Sequence, residues 1–400
     1  MTIQTPFEYS AVLSLALLFI VRMLGLFMVL PVLALHSSDY TNTTPLLLGL
    51  ALGIYGFSQA LLQIPFGILS DRFGRKPLLA LGLCIFALGS VIAANAESIH
   101  GLIIGRGLQG AGAIAGVIIA TVADLTNEQN RTKAMAVIGI SIGITFSLAL
   151  VLGPLLTALG GIKLIFWVTV GLSVIALMVL FWLVPMVPQP LKVQPTSTCK
   201  FFIEIFSNIE LQRINLGIFV LHFVLMALFL VLPVILEQSL LIDRQHHSWL
   251  YLAILTASFA GMLPMMIWAE KYQRVKLAFI NAIALLALAT LVLSQQELTN
   301  RLVVIGVVWL FFVGFNYLEA TLPSLMSKTA PTNKKGAASS TYSTFQFAGA
   351  GSGGFVGGWL LTHWGITGVF TGAGSLLALW LIVALTMKTP QQLPKSSPSH

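Results

Sequence analysis

Of the thirteen acidic side chains in this 400-residue chain, Glu319 alone lies well inside a long apolar run. It stands nine residues before Lys328, roughly 13 Å along a helix from that inner landmark. A carboxyl enclosed in a low-dielectric medium favours its neutral form, and such a group can load and release a proton near neutral pH. The other reading is a structural or substrate-contacting carboxylate, tied to Asn316, a backbone group or a base across the bundle. Two cations, Arg22 and Arg106, are embedded in the same way. Each embedded charge costs a few kcal/mol and marks a candidate functional position. Arg22 falls near the centre of its run and is expected to face a cavity and pair with an acid or a substrate anion. Arg106 falls near the outer end of its run, where its stem can snorkel to the interface. His222 either titrates or serves as a hydrogen-bonded bundle histidine. Gln59 and Gln63 lie four apart on one helix face. With Asn316 and Tyr342, they either line a substrate cavity or bond between helices.

The elements that must position these residues are set by composition. The chain is 57% hydrophobic and 8% charged, with a mean hydropathy of +0.93. A soluble domain is about 25% charged, so lipid must be the solvent for most of this surface. The first apolar run, about 11–35, is too long for a secretory signal and reads as a retained membrane helix. Twelve candidate helices follow the requirement for roughly 20 apolar residues. They are about 11–35, 46–69, 78–96, 101–122, 134–158, 163–185, 212–236, 248–268, 277–295, 302–324, 337–361 and 366–387. With the N-terminus inside, sixteen of the 21 Lys and Arg fall on inner segments and three on outer loops, which obeys the positive-inside rule. That distribution accounts for the net charge of +8 without nucleic acid. Two cysteines, Cys84 and Cys199, suggest no disulfide framework.

The chain repeats itself at half length. "SDRFGRK" (70–76) and "AEKYQRV" (269–275) follow the second and eighth helices, and "ATVADL" (120–125) matches "ATLPSL" (320–325). Parallel six-helix repeats with a substrate site at their interface are a known transporter design. The expected architecture is all-α, with two pseudo-symmetric bundles at 1–185 and 212–387. A cytoplasmic linker at 186–211 carries a stretch with helical spacing, and a disordered cytoplasmic tail occupies 388–400. The glycine-rich "FAGAGSGGFVGGW" lacks the Lys-Ser/Thr ending of a phosphate loop and reads as a close-packing helix.

The loop "GILSDRFGRKPLL" (67–79) concentrates charge in a chain that has little. It resembles the signature G-x-L-x-D-R-x-G-R-[RK] of the major facilitator superfamily, through Gly67, Leu69, Asp71, Arg72, Gly74, Arg75 and Lys76. A second signature, L-x-x-x-R-x-x-Q-G-x-G-A, matches Leu102, Arg106, Gln109, Gly110, Gly112 and Ala113. The resemblance covers the whole transmembrane chain. It implies that Asp71 meets the start of helix 11, near Gly336 and Ala337, when the cytoplasmic side is shut. It also implies that Arg72 and Arg75 pair with Asp124 and that Arg106 has a proton-coupling or substrate role, with Gln109 a substrate-cavity candidate. A helix N-terminus carries about half a positive charge, so the Asp71 contact contributes about 0.3–1 kcal/mol. Gly67 leaves room for a neighbour. For Arg72 and Lys76, a topological anchor is the equal alternative.

"LGLFMVLPVLA" and "GITFSLALVLGPLLTALGG", with Gly153 and Pro154 as a helix kink, are similar to the drug:proton antiporter branch. In the second segment the closing glycines, Gly160 and Gly161, come three residues late, and in the first Ala34 replaces the last proline. "RMLGLFMVLPVL" and "FNYLEATLPSL" resemble a YajR-like bacterial subgroup, whose soluble C-terminal domain is not expected here. The resemblance implies a bacterial inner-membrane carrier, monomeric, with both termini cytoplasmic. It would export small amphipathic compounds against inward proton flow, with no metal or cofactor beyond the proton gradient. Two alternatives stand beside it: a carrier for a defined metabolite, sugar or organic anion anchored by Arg22, and a non-transporting receptor or scaffold. No nucleophile, metal-ligand or nucleotide constellation suggests an enzyme. Asp71→Asn is expected to insert normally but to impair the conformational cycle. Unchanged transport by a normally expressed variant would remove the proposed role.

Overall fold

The computed structural model describes residues 6–185, 206–295, 300–331 and 335–387. Its elements are α1 (Pro6–Phe27), α2 (Pro45–Phe73), α3 (Arg75–Ala94), α4 (Ile99–Ala111), α5 (Ala115–Leu125), α6 (Glu128–Trp182), α7 (Ile209–Val234), α8 (Arg244–Lys271), α9 (Val275–Leu293), α10 (Arg301–Thr329) and α11 (Lys335–Thr386). A 3₁₀ turn (Leu33–Asp39) and a π turn (Ile235–Ser239) follow α1 and α7. Lipid offers backbone groups no hydrogen bonds, so the spanning segments close their own ladders as helices. Helix starts are capped by side chains: Thr44 accepts from the Leu47 amide at 3.2 Å, Ser98 from Gly101 at 3.2 Å and Asn300 from Leu302 at 3.0 Å.

Ten apolar spans result among the described residues. Two of them, inside α6 and α11, cover 50 and 51 residues, about twice a bilayer crossing. Both fold back on themselves. Gly153 packs on Met28, the residue after α1, while Thr169 packs beside Gly25 of α1, less than one turn away. Leu360 similarly lies against Gly372 of its own helix. The reversals occur at Gly161 (φ 71°, ψ 178°) and Gly365 (φ 63°, ψ −161°). Gly74, between α2 and α3, adopts φ 95° and ψ 153°. These three share a region that is essentially glycine-only, because a Cβ there strikes the backbone. With both long helices folded, the chain makes twelve passes.

Two expected helices are broken. The first ends at Phe27, short of residue 35, and gives way to the 3₁₀ turn; the fourth is interrupted between Ala111 and Ala115. Conversely, the only non-helical residues inside α6 are Gly160 and Gly161. Pro154 therefore sits in continuous helical backbone, where its missing N–H removes one ladder bond, and the chain reverses later, at Gly160 and Gly161. The linker as far as residue 205, with Cys199, and the tail 388–400 lie outside the described residues.

The repeat appears as paired fastenings at the inner end. Lys76 donates to Phe181 O (3.1 Å) and Val184 O (2.9 Å), at the end of the sixth pass. Lys276 donates to Leu385 O (2.8 Å), at the end of the twelfth. Cations at helix C-termini satisfy carbonyls that have no partner in the ladder.

The two halves meet along α2 and α11. Added side chains on Gly49, Gly53 and Gly56 would strike the backbones of Gly354 and Gly358, Gly351, and Phe347, respectively. On another face of α11, Gly349 and Gly353 lie against the Phe219 and Phe223 backbones of α7. This accounts for the glycine run: two faces of one helix both touch neighbouring backbone. The seam ends inward where Gln63 donates to Ser340 O at 3.4 Å. The halves also touch between α8 and α6, where Ser248 donates to Val151 O at 3.0 Å. Below the seam the helices part. A side chain on Gly67 or Gly336 would meet nothing within 4 Å, so the expected close approach at Gly67 is absent here. The halves are thus packed together along the glycine seam and apart at Gly67 and Gly336.

Gly53→Leu forces overpacking of the seam and should destabilise the outer-closed form by about 1–3 kcal/mol. In a Ser248→Cys background it should increase labelling by a membrane-impermeant maleimide without loss of expression. Unaltered labelling would show that the seam does not hold the outer side shut.

Candidate functional site

The first half encloses its polar residues completely. Arg22, Arg106, Gln59 and Gln109 are all 0% exposed. Arg22 donates to Gly112 O and to Gln59 Oε1, and reaches Gly110 O at 3.4 Å. Arg106 donates to Gly25 O (3.1 Å) and to Gln109 Oε1 (2.9 Å). Gln109 in turn donates to Ser90 Oγ at 2.8 Å. The arrangement is reciprocal. Arg22 of α1 holds the carbonyls at the end of α4, and Arg106 of α4 holds a carbonyl at the end of α1. A helix C-terminus carries roughly half a negative charge, so the two helix breaks supply what a carboxylate would. The Tyr55 ring lies between the guanidinium groups, 5.6 Å from Arg22 and 5.1 Å from Arg106.

These placements correct the cavity and snorkelling expectations for Arg22 and Arg106 and the cavity expectation for Gln109, and for Gln59 and Gln63 they favour the interhelical-bond alternative. Arg22 neither faces an open cavity nor meets an acid, because carbonyls and an amide already take its charge. Arg106 does not snorkel, since its head is turned into the bundle. Gln59 and Gln109 bond within the bundle, and Gln63, 1% exposed, bridges to α11 in place of lining a cavity.

The second half carries the acid. Glu319 of α10 has its side chain 22% exposed, with Oε2 lying 3.9 Å from His222 Nε2 of α7. Gln346 of α11 reaches both: its Nε2 lies 2.9 Å from His222 Nε2 and 3.4 Å from Glu319 Oε1. Asn316 donates to Ser258 Oγ of α8 at 2.9 Å, an interhelical bond. Tyr342 is buried, and its hydroxyl has no partner. Sequence reasoning missed Gln346, since an amide in a glycine-rich helix carries no signal of its own.

It also missed the aromatic cluster above the acid. Phe146 of α6 meets Phe27 (5.1 Å between centroids), Phe229 (6.3 Å), Phe312 (6.2 Å) and Phe315 (5.8 Å). Phe146 thereby joins the two halves, and Glu319 lies one turn, about 6 Å, inward of Phe315. A signal was present. "LFMVLPV" (26–32) and "LFLVLPV" (228–234) are copies in the two halves, and they place Phe27 and Phe229 as equivalents.

At the inner rim Arg75 bridges two acids, Asp71 at 2.5 Å and Asp124 at 2.8 Å. Arg72 instead lies over its neighbour Phe73, 5.5 Å from the ring centre, and takes no part in the Asp124 pair. With the inner ends apart, Asp71 turns to Arg75 and not to the start of α11.

The Major Facilitator Superfamily sequence profile matches residues 15–213 and again 214–400. The inner membrane transport protein YajR of Escherichia coli (strain K12) is 44% identical over 388 residues, covering 97% of this chain and 85% of that protein. An uncharacterized transporter of Buchnera aphidicola (strain APS) is 38% identical over 344 residues, covering 86% and 88%. Among solved structures, a D-xylose–proton symporter superposes with a TM-score of 0.78 at 15% identity, over 96% of this chain and 99% of that one. The human organic anion transporter MFSD10 gives 0.70 at 19% identity, over 95% and 100%. The two signature motifs, the twelve passes and these likenesses agree: this multi-pass membrane protein belongs to the Major Facilitator Superfamily and is a transporter, not an enzyme.

Proposed function

We propose that the chain is a proton-coupled exporter of small amphipathic compounds in a bacterial inner membrane, working as a monomer by alternating access. The observation that carries this reading is the setting of Glu319. Among the described acids it alone stands in the body of a spanning helix. It lies on the inner side of the aromatic cluster, beside a histidine and an amide, and its side chain is 22% exposed. A proton taken there and a substrate bound nearby would share one cavity. The halves 1–185 and 212–387 are the moving bodies. Phe146 and the glycine seam shut the outer side in this form, and Asp71 would latch the inner rim in the other. Only a ligand with different affinity for the two forms shifts their populations. A proton on Glu319 does so if the outer-open form wets that carboxyl differently.

The placement of Arg22 weighs against a carrier for an organic anion held by that residue. The inner-membrane assignment follows the E. coli relative. Neither relative's name specifies a substrate.

In proteoliposomes with an imposed pH gradient, Glu319→Gln should abolish gradient-driven movement of every compound in a panel that the wild-type protein moves. Equal transport by Glu319→Gln, or transport indifferent to the gradient, would end the proton-coupled reading. Phe146→Ala removes a buried ring, a change that costs about 3–5 kcal/mol when the site cannot collapse. In substrate-free vesicles it should collapse the imposed gradient at least ~10-fold faster than wild type, since about 1.4 kcal/mol is a tenfold shift. A leak at the wild-type rate would show that Phe146 is not the seal.

A further inference from the structure

With Glu319 ionised and His222 neutral, the position of Gln346 favours one proton arrangement. His222 Nδ1 lies 3.3 Å from Ile218 O, and a carbonyl only accepts. The hydrogen of the neutral ring is therefore on Nδ1, and Nε2 presents its lone pair. The Gln346 amide nitrogen faces that lone pair at 2.9 Å and Glu319 Oε1 at 3.4 Å. It has two hydrogens, one for each acceptor. Turned over, the amide would set its oxygen against two acceptors. A proton on His222 Nε2 would instead face an N–H, donor against donor. The amide would then have to turn over or swing away, and either movement releases Glu319. Glu319 Oε2, 3.9 Å off and without a partner, is a further acceptor for the new N–H.

The arm that would swing is anchored at the seam. Gln346 precedes Phe347, whose carbonyl lies against Gly56 of α2. Ser340, on the same helix, accepts from Gln63 of α2. From the helices around this network, the titratable groups facing it are His222 on α7, Glu319 on α10 and Tyr342 on α11. Among the described residues, α2 and α8 contribute only the polar Gln63 and Ser258 nearby, and no Lys or Arg pairs with Glu319.

We infer that Gln346 is a positioning residue that fixes His222 in its Nδ1–H tautomer, holds it apart from Glu319, and transmits protonation of the pair to the α2–α11 seam. This rests on reading Glu319 as the coupling carboxyl, but the tests below need no substrate.

The first readout is the ¹⁵N spectrum of histidine-labelled protein in nanodiscs, with the His222 signal assigned by its loss in His222→Gln. Wild type should show the Nδ1–H tautomer. Gln346→Glu replaces a double donor by an acceptor and should move His222 to the Nε2–H or charged form. An unchanged His222 signal in a monodisperse Gln346→Glu protein overturns the inference. The second readout is maleimide labelling of Ser248→Cys between about pH 6 and pH 8. The thiolate is the reacting species and its fraction rises with pH, so labelling is normalised at each pH to that of the denatured protein. The normalised labelling should change about threefold in the otherwise wild-type protein and become flat in Gln346→Met, and a normalised pH response that survives in Gln346→Met overturns the link to the seam. If Glu319→Gln retains gradient-driven transport while the tautomer responds as expected, the coupling reading fails and the positioning role stands.

Discussion

The first half is organised around two buried positive charges that meet no negative one. In lipid each would cost about 2.5–3.5 kcal/mol at a helix centre. Charged hydrogen bonds contribute about 1.5–3 kcal/mol each, and the ends of α1 and α4 add their partial negative charge. The two effects are comparable, so the arrangement closes without a carboxylate. It also explains why these helices stop where they do. A break inside a membrane frees carbonyls that only a strong donor can satisfy, and each arginine serves the break in the other's helix. The pair and the breaks therefore depend on one another.

The second half is built on the same repeat but resolves its polar content differently. Where α1 carries Arg22, the equivalent position on α7 is Val224, and His222 corresponds to Ile20. A fixed cation in one bundle is matched by a group that can gain or lose a proton in the other. The division suits a carrier: one half is an electrostatically settled frame, and the half with Glu319 holds the chemistry. Phe146, reaching from the frame into the second half, is where the two halves touch most intimately at mid-depth.

Much of this was legible in the sequence because lipid permits so few solutions. Hydropathy placed the ten apolar spans found among the described residues. The charge count supplied an expected direction, and the half-length repeat an expected division into two halves. Glu319 stood out because an acid in that setting has few reasons to be there. What could not be read was direction within the bundle. Arg22 was expected at a cavity because periodicity alone does not say which neighbours a helix face meets. The breaks in α1 and α4 were hidden because Leu, Val and Ala continue through them, and only the partner arginine, distant in sequence, makes them tolerable. Gln346 was invisible for the same reason: its meaning lies in two residues from other helices.

The glycine seam has a consequence for reversibility. A zipper of leucines would hold as firmly, but parting it into water would uncover apolar surface at roughly 25 cal/mol per Å². Glycines bury little but main chain. Once the extracellular vestibule fills, their carbonyls accept hydrogen bonds from the incoming solvent and offset part of the lost contact. The same surface is thus tight when dry and inexpensive when wet, which is what a joint must be if it is to separate and reseal at every turnover.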